Sequence, residues 1–170
     1  MRSPIEFGRT GVVALLVALA FATGMLENLL PALPLPGVRI GLANIFVVTA
    51  LCLFGARAAL LVVVSRVLLT LLFTGNLFAF LCSFFGGLLA VFSMEILRSL
   101  SVFSVAGIST IGAVAFNIGQ FSVVVFLMGD VRPLIAYLPV LLVAGVVTGL
   151  AVGFLAARLL SRLKEAGYSS

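Results

Sequence analysis

Six long apolar runs, separated by short polar, glycine or proline breaks, constrain this chain more than any other feature. They cover about residues 9–30, 41–54, 58–73, 77–96, 105–128 and 134–160. A helix needs about 20 mainly apolar residues to cross a bilayer, so the runs predict membrane-spanning helices, although the run over 41–54 is short for a full span. We therefore predict an all-α membrane protein with six transmembrane helices in a single domain over residues 1–170.

The composition excludes several classes of protein. Hydrophobic residues make up 64% of the chain and charged residues 9%, and the mean hydropathy is +1.40. A soluble domain is about 45–50% apolar and about 25% charged, so a soluble globular protein, a disordered tail and a nucleic-acid module are all excluded. The net charge of +5 is therefore better explained by basic anchors at helix ends than by a nucleic-acid partner.

The basic residues near the helix ends predict the orientation. With a cytoplasmic N-terminus, Arg39 and Arg132 lie outside and Arg66 lies within the third run. The cytoplasmic set is then much larger: Arg2, Arg9, Arg57, Arg98, Arg158, Arg162 and Lys164. Because lysine and arginine favour the cytoplasmic side, we predict that both termini are cytoplasmic.

Missing residue types narrow the chemistry. The chain has no histidine, so it offers no Ser-His-Asp triad and no histidine metal site. Its only aspartate is Asp130, so it has no aspartate-rich site for magnesium and diphosphate. It has no Gly-x-x-x-x-Gly-Lys-Ser/Thr phosphate loop either. We expect neither an enzyme nor a bound metal or cofactor.

Polar residues in or beside the apolar runs are the candidates for function. Arg66 lies about nine residues into the third run, where a charge costs at least about 2.5–3.5 kcal/mol on insertion scales, so it should face a cavity or a partner. In the predicted orientation the candidates fall in the outer half of the membrane or at its outer surface: Glu27, Asn28, Arg39, Asn44, Arg66, Asn76, Asn117 and Gln120. Their convergence predicts an outward-opening substrate pocket, with two arginines for an anionic or carbonyl-rich ligand. The alternative is an internal network in which Glu27 pairs with Arg66 or Arg39 and the amides bridge helices.

Two helices carry small residues at four-residue spacing. In the first helix these are Ala14, Ala18 and Ala22, a smooth stripe that either packs within the chain or forms the interface with a partner helix. The last helix carries the stripe Gly145, Gly149 and Gly153, for which internal packing is the favoured interpretation over a homodimer face. Glu95 and Arg98 are three residues apart and predict an interfacial ion pair.

Four segments resemble one bacterial membrane family. They are Leu35-Pro-Gly-Val-Arg-Ile-Gly-Leu-Ala-Asn44, Ser65-Arg66-Val-Leu-Leu, Phe84-Phe-Gly-Gly-Leu-Leu89 and Ala115-Phe-Asn-Ile-Gly-Gln120. The family is known as heptaprenyl diphosphate synthase component I or "Gx transporter" proteins, and the Pro-Gly-x-x-x-Gly-Leu-Ala-Asn segment is the most specific part of the match. That family in turn resembles the S components of energy-coupling factor (ECF) vitamin transporters.

The second resemblance implies a fold and a role. It implies six helices, cytoplasmic termini, a ligand pocket in the outer half, and an Ala-x-x-x-Ala stripe on the first helix that meets the transmembrane coupling subunit. Ala14, Ala18 and Ala22 fit that stripe. The expected location is the bacterial cytoplasmic membrane, with several membrane passes. The Pro-rich connection over 31–37 would then act as a lid.

The two family labels imply different functions. A prenyl diphosphate synthase needs paired aspartate clusters, so this chain is not its catalytic part. The first hypothesis is an S-component-like protein that captures a vitamin-like or isoprenoid- or quinone-related small molecule, for uptake with a coupling subunit and ATPases. The alternative is a non-catalytic membrane subunit associated with heptaprenyl diphosphate synthase or menaquinone biosynthesis, with a prenyl synthase chain as its partner. A solitary transporter or channel is a third, weaker hypothesis.

Overall fold

The structure, a computed structural model, describes residues 4–29 and 41–165. Within these ranges the chain forms six helices and no strand: α1 Pro4–Leu29, α2 Ala43–Phe54, α3 Ala56–Thr74, α4 Leu77–Ser99, α5 Val105–Met128 and α6 Arg132–Glu165. The predicted all-α class and the six helices are confirmed. Five of the helices are long and apolar enough to cross a membrane, and α2, with 12 residues, is the short one, as its sequence predicts.

Glycines and capping side chains set the helix ends. Gly75 and Gly129 end α3 and α5 in the left-handed conformation, with φ of 64° and 69°, which glycine adopts without steric cost. Ser104 caps α5 by accepting a hydrogen bond from the Gly107 amide at 3.2 Å. The last helix continues to Glu165, five residues beyond the predicted apolar run (165 − 160), because a helix can extend past the membrane on polar residues.

The helices close into a ring around a shared core. Around the ring, α1 contacts α3, α3 contacts α4, α4 contacts α5, α5 contacts α6, α6 contacts α2, and α2 contacts α1. The short helix α2 also contacts α3 and, less extensively, α4 and α5. Every helix contributes buried residues to the centre, including Leu16 from α1, Leu51 from α2, Val62 from α3 and Ala156 from α6. A ring of this kind leaves its interior available for either packing or a cavity.

Glycines bring the backbones of α5 and α6 into direct contact. A Cβ atom on Gly149 would lie 2.6 Å from Thr110 Cα, and one on Gly153 would lie 2.6 Å from Ala106 Cα. Gly145 meets α5 through Val114, whose Cα would lie 3.2 Å from an added Cβ. The glycine stripe of α6 is therefore used inside the chain, which confirms the favoured interpretation over a homodimer face.

Basic residues gather at one end of the bundle. Arg9 Nη2 on α1 donates a hydrogen bond of 3.0 Å to the carbonyl oxygen of Phe54, at the last residue of α2. Arg98 lies beside the following turn, since its Nη2 is 3.8 Å from the position of a Cβ on Gly55. The predicted ion pair is confirmed, with Arg98 Nε 2.7 Å from Glu95 Oε2. We call this the basic end.

Candidate functional site

A cavity of about 60 Å³ lies inside the ring, and side chains from all six helices line it. Its lining begins near the basic end, at Met94 and Ser109, and runs to Glu27 and Asn76 at the opposite end. At that opposite end the last turns of α1 and α3 and the first turns of α2 and α4 meet, so the residues at those helix ends are drawn together. The polar lining residues are Glu27, Asn44, Arg66, Thr70, Asn76, Ser83, Ser109, Asn117 and Thr148.

Most of the predicted site residues line this single cavity. Those it brings together are Glu27, Asn44, Arg66, Asn76 and Asn117. The half-buried Gln120, one turn from Asn117 on α5, is not among the lining residues. Arg39, the Pro-rich connection over 31–37 and the side chain of Asn28 lie outside the described residues.

Glu27 joins the end of α1 to the start of α2. Its Oε1 accepts a hydrogen bond from the amide of Leu42, the residue that caps α2. The first amides of a helix have no partner within the helix and carry a partial positive charge, so a carboxylate is stabilised at this point. Gly41 has φ of 78°, which lets the chain turn sharply into α2 beside the cavity. Glu27 therefore has a structural contact as well as a place in the cavity wall.

Arg66 places a positive charge at the middle of α3. Its Nε atom is buried, and the side chain lines the same cavity as Glu27. A charge at this depth in a membrane helix is expected to face a polar interior rather than lipid. The structure agrees with that expectation, because Arg66 shares its surroundings with a carboxylate and with the amides of Asn44 and Asn117.

Two of the predicted amides also hold helices in place. Asn76 caps α4, with its Oδ1 accepting from the amide of Ala79 at 2.9 Å. Asn117 Nδ2 donates to the carbonyl oxygen of Leu141 at 3.0 Å and so joins α5 to α6. The bridging amide of the network interpretation is thus present at Asn117. These partners also fix the orientation of both amides, since only nitrogen donates to a carbonyl and only oxygen accepts from an amide N–H.

Threonine hydroxyls in the wall were missed by the sequence reasoning. Thr70 donates to the carbonyl oxygen of Arg66 at 2.9 Å, and Thr148 donates to that of Ala144 at 2.8 Å. Each hydroxyl hydrogen is therefore used within its own helix, which leaves the oxygen of a lining residue available as an acceptor. Thr70 could have been found, because it lies four residues after Arg66 and so on the same helix face. Thr148 lies in the glycine-rich part of α6, where no charged neighbour marks it.

The cavity is small for a ligand site. Its volume of about 60 Å³ has room for a few water molecules but is less than the roughly 150 Å³ that holds benzene in a protein core. Sites for drug-sized molecules are about 300–1,000 Å³. A vitamin-sized molecule can enter only if side chains or helices move apart.

The small-residue stripe of α1 faces away from the bundle. Ala14, Ala18 and Ala22 are exposed, whereas Leu16 and Ala20 on the opposite face are buried. A Cβ on Gly11, one turn before the stripe, would meet nothing within 4 Å. Among the described residues, packing within the chain therefore does not account for the stripe, unlike the glycine stripe of α6.

The comparisons with known proteins give one family. A family model described as "Heptaprenyl diphosphate synthase component I" matches residues 16–159, which is most of the chain. The matched region contains every described residue that the sequence assigned to the pocket. Neither the curated proteins nor the solved structures gave a match.

Proposed function

This chain belongs to the heptaprenyl diphosphate synthase component I family, and on that premise we propose that it captures a small molecule as an S-component-like membrane protein. The molecule is vitamin-like or related to isoprenoids or quinones, and it enters from outside the cell. The protein is a non-catalytic, multi-pass component of the bacterial cytoplasmic membrane, with both termini in the cytoplasm. Uptake is completed by an ECF coupling subunit and ATPases.

The observation that carries this proposal is the polar cavity inside the bundle. Buried polar groups inside a membrane bundle are costly, and they often mark binding sites and substrate pathways. Here they come from all six helices and include both a cation, Arg66, and a carboxylate, Glu27. If the basic end is cytoplasmic, as positive residues favour, the part of the lining formed by Glu27, Asn44 and Asn76 lies in the outer half of the membrane.

The exposed stripe of α1 supports a helical partner. Small side chains let two helix backbones approach closely in a bilayer, where van der Waals packing drives association. Ala14, Ala18 and Ala22 present such a surface over two turns, and the described part of the chain leaves it uncovered. A transmembrane coupling subunit is the partner that fits this proposal, because the chain has no phosphate loop of its own to supply energy from ATP.

The test is an affinity pull-down of the tagged protein from its native membranes, followed by mass spectrometry of the recovered proteins. Recovery of a coupling subunit together with ATPases supports the proposal. Recovery of a soluble prenyl synthase chain without ATPases refutes it. The variant Ala18→Leu should lose the coupling subunit, while Ala151→Leu, which also enlarges an exposed alanine on a membrane helix, should retain it.

The alternative function is a membrane subunit that recruits a prenyl synthase chain. The family's description, which names a component of that enzyme, favours it. A soluble partner would dock at the basic end, where Arg57 and Arg98 are exposed. The double charge reversal Arg57→Glu and Arg98→Glu should then abolish co-purification of the synthase chain. Unchanged recovery would exclude this docking surface.

A further inference from the structure

We infer that the cavity takes a single-ring, net-uncharged molecule that carries both N–H donors and carbonyl acceptors, such as a cyclic amide or ureide. This inference rests on the proposed function and narrows its ligand class. Three properties of the cavity carry it: the charge of its wall, the hydrogen-bonding capacity of its side chains, and its size.

The charges in the described wall cancel. Of the residues that line the cavity, Arg66 is the only cation and Glu27 the only anion. Taking an unbalanced ion out of water into a membrane interior costs several kcal/mol, so a wall of zero net charge selects a molecule of zero net charge. A diphosphate carries several negative charges and would need more cations than the described wall supplies.

The wall presents both hydrogen-bond acceptors and donors. Thr70 and Thr148 donate to their own helices and so present oxygen atoms. Asn117 donates its nitrogen to Leu141 and likewise presents its oxygen. On the donor side, Asn76 gives its oxygen to the α4 cap and presents its NH₂ group, and Arg66 adds its guanidinium. A molecule with acceptors alone, such as a quinone ring, would leave the wall's acceptors unmatched, which costs affinity.

The size and the apolar walls limit the molecule to one ring. Phe80 and Phe116 line the cavity and make part of its wall apolar. The present volume of about 60 Å³ is below that needed for benzene, so even one ring requires some widening. The flexible side chain of Met94 lies in the wall and can supply part of it by rotating. A fused multi-ring molecule would need the helices themselves to separate.

The test measures binding of matched one-ring probes to the full-length protein in lipid nanodiscs. Uracil, hydantoin and 2-piperidone are uncharged and carry N–H and carbonyl groups. Benzoate is a one-ring anion, benzylamine a one-ring cation, and geranyl diphosphate tests the diphosphate class. We expect at least one uncharged amide probe to bind about tenfold or more tightly than benzoate, benzylamine and geranyl diphosphate, since tenfold is only 1.4 kcal/mol.

Two variants tie the binding to the cavity. Thr148→Val removes one acceptor without changing the shape of the side chain, so the affinity for the amide probe should fall about two- to tenfold. Its control is Thr110→Val, which removes the same kind of hydroxyl, bonded to its own helix at 2.8 Å, outside the cavity. Glu27→Gln keeps an acceptor for the Leu42 amide but leaves the wall with a net positive charge, so the affinity for benzoate should rise about tenfold.

Three results would count against the ligand class. One is tighter binding of benzoate or geranyl diphosphate than of every amide probe, and another is failure of all three amide probes to bind folded protein. Equal effects of Thr148→Val and Thr110→Val would place the binding elsewhere and would also count against it. The proposed function fails separately, when the pull-down recovers no coupling subunit.

Discussion

Replacing Gly149 by alanine should destabilise the bundle, because the new methyl group has no space between α5 and α6. Its Cβ would lie 2.6 Å from Thr110 Cα, 3.0 Å from Ala113 Cβ and 3.1 Å from the carbonyl oxygen of Ser109. These atoms belong to one helix backbone or stand directly on it, so they cannot rotate away. Relief requires the two helices to move apart along their whole contact.

The magnitude follows from two opposing terms. Forcing a methyl group into a well-packed interior costs about 1–3 kcal/mol, and alanine gains up to about 1 kcal/mol over glycine in helix propensity. The net loss in the free energy of unfolding should be about 1–2 kcal/mol. In Gly112→Ala the added Cβ instead meets Met94 Sδ, at 2.5 Å, and a methionine side chain can shift, so the loss should be smaller. Gly11→Ala meets nothing within 4 Å and should be neutral or slightly stabilising.

The assay is unfolding of the three variants in mixed micelles by titration with sodium dodecyl sulfate, followed by far-ultraviolet circular dichroism. The expected order of stability is Gly11→Ala, then Gly112→Ala, then Gly149→Ala. Equal stability of Gly149→Ala and Gly11→Ala would refute the close backbone contact of α5 and α6. A larger loss for Gly112→Ala than for Gly149→Ala would refute the argument that a flexible neighbour absorbs the strain.

Three further outcomes are expected. Asn76→Ala should lower the free energy of unfolding by about 1 kcal/mol in the same titration through loss of the α4 cap, while Asn76→Asp should retain the cap, and equal losses would refute the capping role. Asn117→Leu should lower the free energy of unfolding by about 0.5–1.5 kcal/mol because the hydrogen bond from α5 to the Leu141 carbonyl is lost, and an unchanged midpoint would show that this bond contributes nothing net. Arg66→Met should abolish amide-probe binding while the protein still folds, and lost folding with unchanged affinity in the folded fraction would return Arg66 to a purely structural role.

The sequence was sufficient for the number and type of helices because membrane spans leave a strong apolar signal. The short run over 41–54 corresponds to α2, Ala43–Phe54, and the run over 105–128 matches α5 at both ends. The apolar signal weakens where a helix leaves the bilayer, which is why α6 extends to Glu165 beyond the predicted end. The contact between Arg9 and Phe54 joins residues 45 apart, so it depends on packing that no local pattern encodes.

The candidate site was predictable where charge was the signal. Glu27 and Arg66 were found because a charge within an apolar run needs a polar interior, and both line the cavity. Threonine carries no such signal, since its hydroxyl can bond its own helix and pass unnoticed, as Thr148 does. Asn117 and Gln120 were both expected in the pocket, but only Asn117 lines the cavity, because residues three apart differ by about 60° around a helix.

The packing of the ring determines which part of the wall yields when the cavity widens. On the α4–α5–α6 side, a Cβ on Gly119 would lie 2.9 Å from Gly86 Cα, so α4 and α5 are in backbone contact, as α5 and α6 are. Across the cavity, a Cβ on Gly24 of α1 would lie 3.9 Å from Ala43 Cβ of α2, which is ordinary van der Waals spacing. Separating α1 from α2 therefore breaks fewer close contacts than separating α4 from α5. The hydrogen bond from the Leu42 amide to Glu27 joins α1 to α2, so widening on this side stretches that bond. Glu27 also lines the cavity, so the same movement displaces part of the wall.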